Sequence, residues 1–203
     1  PAVLRPLSPS DLGGAKALAS DIGRDEATAK LRGTLIHLLL EHLPSLPPAK
    51  WTKTAKNLLG TKNQQIPDFV FKDVLAEAQR VIEAPTLKHL FASDALAEVS
   101  ITASMGTKTL SGIIDRLIIS PGKVIAVDFK SNMVVPNSLD QVPEGLLRQM
   151  GAYAHGLSQI FPGRYIETAL LWTHTAKYMV LPHEVVTNAL ALSGHLDGHA
   201  AAP

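Results

Sequence analysis

The chain has 203 residues, 46% of them apolar and 18% charged, with a formal net charge of +1. That length and composition suit one globular domain with a sizeable core, and the charge carries no bulk basic signal for nucleic acid, so any such binding must come from a local patch. With no cysteine, disulfides, zinc–thiolate sites and iron–sulfur clusters are excluded.

No apolar run approaches the roughly 20 residues of a membrane span, and no secretory signal is visible. The first residue is Pro1 rather than Met, which leads us to expect a domain cut from a longer protein. Taken in order, Ser8-Pro9-Ser10-Asp11 reads as a helix start, with Ser8 or Ser10 as N-cap. Ala27 to Leu43 reads as the first strong helix, with Leu31, Leu35, Leu38, Leu39 and Leu43 as an apolar stripe and Pro44 to Pro48 ending it. His37 shares a face of that helix with Gly33 and Glu41. Alone it reads as an ordinary surface or core histidine. Lys50 to Asn63 carries Lys53 and Lys56 beside Trp51. It is either a solvated helix face or a phosphate-contacting patch with an aromatic ring for base stacking. Asp68 to Glu83 is helical, with Val70, Val74, Ala78 and Val81 on one side, and Pro85 to Phe91 is a short helical piece.

From Ala95 the period changes from helical to alternating. Leu96 to Ala103, Thr109 to Ile119 and Lys123 to Phe129 form an expected antiparallel meander, with Ser120-Pro121-Gly122 marking the second turn. Asn132 to Val142 reads as an irregular, mobile loop, and Glu144 to Ile160 as a helix. Tyr165 to His174 and Tyr178 to Leu181 read as two more strands, and His183 to Leu192 as a last helix. The expected fold is α/β in a single domain over residues 1–203: a helical part over about 8–92, a mixed sheet flanked by helices over about 95–192, and a frayed tail over 194–203.

Two acids inside apolar strands stand out. Asp115 and Asp128 lie on neighbouring strands, and alternation puts Asp128 and Lys130 on one face with Val127 and Phe129 on the other. An acid in an apolar strand is costly to desolvate unless a cation meets it. One reading is a surface Asp128–Lys130 pair, with Asp115 paired to Arg116 or a remote lysine. The other is a divalent-metal site. Mg²⁺ prefers hard oxygen ligands and could sit between Asp115, Asp128 and the Phe129 carbonyl, with His37 as an added ligand better suited to Mn²⁺. Such a site suits phosphodiester hydrolysis by water, with Lys130 orienting the nucleophile or offsetting developing charge.

Four short motifs then fall in one order: Arg32-Gly33-x-x-Ile36-His37, Gly112-x-x-Asp115-Arg116-Leu117, Val127-Asp128-Phe129-Lys130-Ser131 and Gln149-x-x-x-Tyr153-Ala154. Together they resemble the RecB/AddA group of PD-(D/E)XK nucleases, most of all the C-terminal nuclease domain of an AddA-type helicase–nuclease. Ser8-Pro9-Ser10 is similar to a segment that often precedes that domain. The resemblance implies a restriction-endonuclease-like fold and metal ligation by His37, Asp115, Asp128 and the Phe129 carbonyl. It also implies Lys130 as the catalytic lysine, and Gln149 and Tyr153 as residues that position the lysine or DNA, although a glutamine and a tyrosine one turn apart can simply pack. Glu98 lies one strand earlier, near the site. Mg²⁺ or Mn²⁺ is the implied cofactor, without the iron–sulfur cluster that cysteine-bearing relatives carry. The implied partners are single-stranded DNA, a helicase in the same parent chain and a second AddB-like subunit, and the implied place is the bacterial cytoplasm. Other readings of the same residues are a catalytically silent DNA-binding scaffold, a stand-alone phage-type exonuclease and a hydrolase of small phosphates.

Overall fold

The computed structural model describes residues 6–15, 26–60 and 66–194. Its elements in order are α1 (Glu26–His42), α2 (Pro48–Gly60), α3 (Asp68–Glu83), β1 (Leu96–Met105), β2 (Lys108–Ile119), β3 (Lys123–Lys130), α4 (Glu144–Ile160), β4 (Tyr165–Trp172), β5 (Lys177–Leu181) and α5 (His183–Ala191). The strands form one mixed sheet in the order β1-β2-β3-β4-β5. All neighbours are antiparallel except β3 and β4, which run parallel because α4 makes the crossover between them.

The sheet separates two apolar layers. On one face Val127 and Phe129 of β3 pack with Leu35 and Leu39 of α1, Leu43 just past its end, Trp51 of α2 and Val74, Ala78 and Val81 of α3. On the other, Val124 and Ala126 pack with Leu146, Met150, Ala154 and Leu157 of α4 and Val186 of α5. This is the α/β arrangement with a helical N-terminal part that the order of elements predicts. Among the described residues, no helix is long and apolar enough to cross a membrane.

Four expectations change. Ser8 starts no long helix: Pro9–Asp11 is a single 3-10 turn, Ser8 is extended and its side chain caps nothing. The reason is pairing, since Leu7 bonds to Thr109 and Ser111 and forms a bridge to Leu110 on the part of β2 that β3 leaves uncovered. Trp51 cannot stack on a base, because it is buried and its indole N–H donates to the Leu46 carbonyl. Leu31, placed in the apolar stripe of α1, is exposed. The stretch over 132–142, expected to be mobile, is tied down: the Lys177 ammonium donates to the Pro136 and Asn137 carbonyls, and Val135, Leu139 and Val142 join the α4-side core. The end of the Lys50–Asn63 stretch beyond Gly60 and the tail over 195–203 lie outside the described residues.

Candidate active site

Alternation along β3 delivers its side chains as expected. Val127 and Phe129 enter the α1–α3 core, while Asp128 and Lys130 reach Gln149 on α4. Along β2 the alternation slips. Leu110 and Ile114 face α4 and α5, yet Arg116 and Ile118, of the same parity, face the α1 side. The slip falls at Asp115. There the β1–β2 ladder omits the Glu98–Asp115 pair, and Glu98 takes a left-handed backbone with φ of 50°. A non-glycine residue in that region costs about 1–3 kcal/mol and persists only where its surroundings enforce it.

The slip sets what Asp115 can touch. Its Oδ2 accepts the Phe129 N–H at 2.5 Å, which locks it to β3, and its Oδ1 lies 3.2 Å from Nδ1 of His37 on α1. Arg116, the partner considered for Asp115, instead donates to the Leu40 carbonyl and lies over the Phe91 ring. The His37 ring meets the edge of Phe129, with centroids 5.7 Å apart. His37, Glu98 and Asp115 each present a ligand atom, all within 4.8 Å of one another. Beside them opens a cleft of about 460 Å³ lined by Lys30, Gly33, Thr34, His37, Glu41 and Glu98.

Gly33 matters for this approach. A Cβ there would stand 2.8 Å from Ser131 Oγ, so α1 lies directly on the chain that follows Lys130, and any side chain at this position would have to turn the Ser131 hydroxyl aside. Gly112 has a similar part on β2, where a Cβ would strike Pro9 at 2.6 Å.

The β3–α4 side is denser. Asp128 Oδ1 accepts a hydrogen bond from Gln149 Nε2 at 2.7 Å, and Oδ2 lies 2.5 Å from Lys130 Nζ. Lys130 also donates to Gln149 Oε1 at 3.3 Å. Tyr153 donates its phenol to the Ile113 carbonyl at 2.5 Å and accepts from Gln149. Gln149 and Tyr153 thus do more than pack: they hold the Asp128 carboxylate and tie α4 to β2.

The electrostatics fit a site short of positive charge. Burial pushes the Asp128 pKa up, reinforced by Asp115 and only partly offset by Lys130 and His37. Burial likewise raises Glu98, with repulsion from Asp115 and Glu41 adding to it. Burial opposes the charged form of His37, but the hydrogen bond to Asp115 and the charges of Asp115 and Asp128 outweigh it and hold the imidazole pKa above its ordinary value. Burial, with Asp128 nearby, keeps the Tyr153 phenol protonated as a donor. Carboxylates forced together with too few cations are what a bound divalent ion relieves; the oxygens suit Mg²⁺ or Mn²⁺, and the one nitrogen favours Mn²⁺.

Of the residues in the four motifs, His37 and Asp115 meet beside Glu98, while Asp128, Lys130, Gln149 and Tyr153 form the adjoining hydrogen-bonded network; Phe129 joins them through its N–H to Asp115 and its ring against His37. Glu98 is the one undervalued. No break in spacing marks it, since Ala97, Val99 and Ile101 keep strict alternation around it.

The profile of the PD-(D/E)XK nuclease superfamily matches residues 12–190. Comparison with curated proteins found no match. Among solved structures, a candidate exonuclease from Eubacterium rectale superposes with a TM-score of 0.56 at 14% identity, covering 86% of this chain and 66% of that one. At that identity the likeness concerns the fold, and this chain spans less than two thirds of the other's length. The protein SSO0001 covers 85% of this chain and 89% of its own at 12% identity, with a TM-score of 0.33, too low to carry an argument. The family profile spans most of the chain, including the strands and helices that assemble Asp115, Asp128 and Lys130, and this chain belongs to the PD-(D/E)XK nuclease superfamily.

Proposed function

We propose that this chain is a divalent-metal-dependent deoxyribonuclease that hydrolyses phosphodiester bonds in single-stranded DNA. One observation carries the reading: separate elements bring His37, Glu98 and Asp115 within ligand distance of one another, and β3 sets the Asp128–Lys130 pair against the same Asp115 through the Phe129 N–H. His37, Glu98, Asp115, Asp128 and the Phe129 carbonyl are the groups that would hold Mg²⁺ or Mn²⁺. The ion, when bound, supplies Lewis-acid polarisation of the phosphate and an acidified water. Lys130, held between Asp128 and Gln149, offsets charge that develops on the phosphate oxygens. Gln149 orients Asp128, and Tyr153 fixes α4 against β2. The cleft beside α1, with Lys30 and Thr34 on its wall, is the approach for the strand.

The motifs shared with AddA-type nucleases further support a setting in which a helicase of the same parent chain delivers single strands during recombinational repair, with an AddB-like second subunit in the bacterial cytoplasm. The near-neutral charge is consistent with delivery, since tethering raises the effective concentration of substrate without electrostatic capture.

The test is cleavage of end-labelled single-stranded DNA with Mg²⁺, with Mn²⁺ and with EDTA, beside Asp128→Ala and Lys130→Ala. Cutting that needs metal and vanishes in both folded variants is the expected result. Metal-independent cutting, or full activity in either variant, overturns the assignment.

A further inference from the structure

Behind the site, on the α1–α3 face of the sheet, lies a buried carboxylate that the proposed chemistry does not use. Glu77 of α3 is 2% exposed. It forms a close ion pair with Arg32 of α1 and accepts the Thr173 hydroxyl at 2.6 Å, just past the end of β4. His174 Nδ1 stands 3.5 Å away and the Arg80 guanidinium 3.9 Å away. The partners of Glu77 converge on the end of the catalytic strand. Arg32 donates through a second nitrogen to the Ser131 carbonyl at 3.4 Å, and Thr173 Oγ1 lies 3.3 Å from the Lys130 carbonyl. Arg32 immediately precedes Gly33, which lies against Ser131, and His37 follows one turn later on the same helix.

A buried carboxylate is expensive unless several donors meet it, and here the two that bond it most closely, Arg32 and Thr173, belong to α1 and to the end of β4. We propose that Glu77 is a positioning residue for the metal site: through Arg32 and Thr173 it sets how far α1, carrying His37, stands from the end of β3, carrying Asp128 and Lys130. This inference rests on the metal-site reading of His37, Asp115 and Asp128. Its role is geometric, since Glu77 touches none of those three.

The test compares the wild type with Glu77→Gln, which keeps shape and loses charge, and Thr173→Val, which keeps the Glu77–Arg32 pair and loses only the hydroxyl. Two readouts are made on each folded protein: Mn²⁺ affinity by titration, and the nuclear Overhauser contact between the His37 and Phe129 rings without metal. Outer-shell partners of metal ligands commonly shift metal affinity by about 10–100-fold. The expected result is Mn²⁺ binding weakened by about tenfold or more in Glu77→Gln and by less in Thr173→Val, with the ring contact weakened in the same order. A variant that melts earlier but keeps both Mn²⁺ affinity and the ring contact makes Glu77 merely structural and overturns the proposal. Should Glu77→Gln fail to fold, Thr173→Val decides alone. A wild type that binds no Mn²⁺ defeats the metal-site reading instead, and the ring contact still reports whether Glu77 places His37.

Discussion

The two halves of the candidate site are built differently. On the β3–α4 side, Asp128, Lys130, Gln149 and Tyr153 are enclosed and bonded to one another, and Asp128 and Gln149 are nearly inaccessible. On the α1–β1 side, His37 and Glu98 border an open cleft, and Glu98 holds a left-handed backbone outside the ladder. Asp115 joins the halves, bonding to β3 through the Phe129 N–H and facing His37 across to α1. On the proposed reading the contrast would separate two tasks, fixed charge on one side and passage of ion and substrate on the other. Enclosure preorganises a charge pair whose geometry must not move during chemistry, whereas an open, strained edge lets ion and substrate enter and leave.

The contrast is broken most directly from the enclosed side. Replacing Lys130 by Ala or Asp128 by Asn should lower the rate of DNA cleavage by about 10²–10³-fold, as for loss of one preorganised electrostatic contact. Both proteins should stay folded by circular dichroism, and a loss below tenfold in both would mean that the enclosed pair is not where the chemistry happens.

Protonation ranks next, and it couples the halves. Both His37 and Asp128 have pKa values raised in the folded, metal-free protein. For His37 the sign is that of a group gaining a partner: its stabilisation is present below the ordinary imidazole value and fades as pH rises through the folded value. Asp128 acts in the same direction, because the fold favours its protonated form. Metal-free stability should therefore fall as pH rises across the interval in which these groups ionise. Bound Mn²⁺ should reverse the trend by displacing the protons. Calorimetry in two buffers of different ionisation enthalpy would show net proton release on Mn²⁺ binding; no release would mean the ion does not meet these groups.

Glu98→Gly sharpens the comparison on the open side, because stability and function should part. Glycine relieves the left-handed backbone, so the metal-free protein should gain up to about 1 kcal/mol in urea unfolding. Mn²⁺ affinity should fall with the carboxylate, by at least the roughly 10–100-fold typical of losing an outer-shell partner. A parallel loss of both would make Glu98 a structural residue.

The smallest effect is expected at Tyr153→Phe. It removes the bond to the Ile113 carbonyl and should cost about 0.5–1.5 kcal/mol of stability. Cleavage should slow only a few-fold, because Gln149 still holds Asp128. Thermal melting beside steady-state kinetics would separate the two.

Much of this molecule was legible residue by residue. Alternation between Val127 and Lys130, and the Pro121-Gly122 turn before them, determined which face of β3 carries Asp128 and Lys130, because side-chain direction in a strand is local geometry. The stripe through Leu35, Leu39 and Leu43 determined which side of α1 is buried, and that placed His37 at its margin. Tertiary structure alone decided the rest. Trp51 looked available beside its lysines, but helix periodicity cannot say which neighbour covers a ring, and the Leu46 carbonyl does. Glu77 sits among apolar positions of α3 with nothing local to mark it, since its partners lie 45 and 96 residues away along the chain. Asp115 and Glu98 meet His37 where β2 slips its alternation opposite the left-handed Glu98, in a ladder gap that no local pattern in either strand announces. The sequence by itself determined the chemistry on offer, through local patterns of acid, lysine and histidine. The fold decided which of those groups meet, because contacts between distant segments depend on the packing of the whole core.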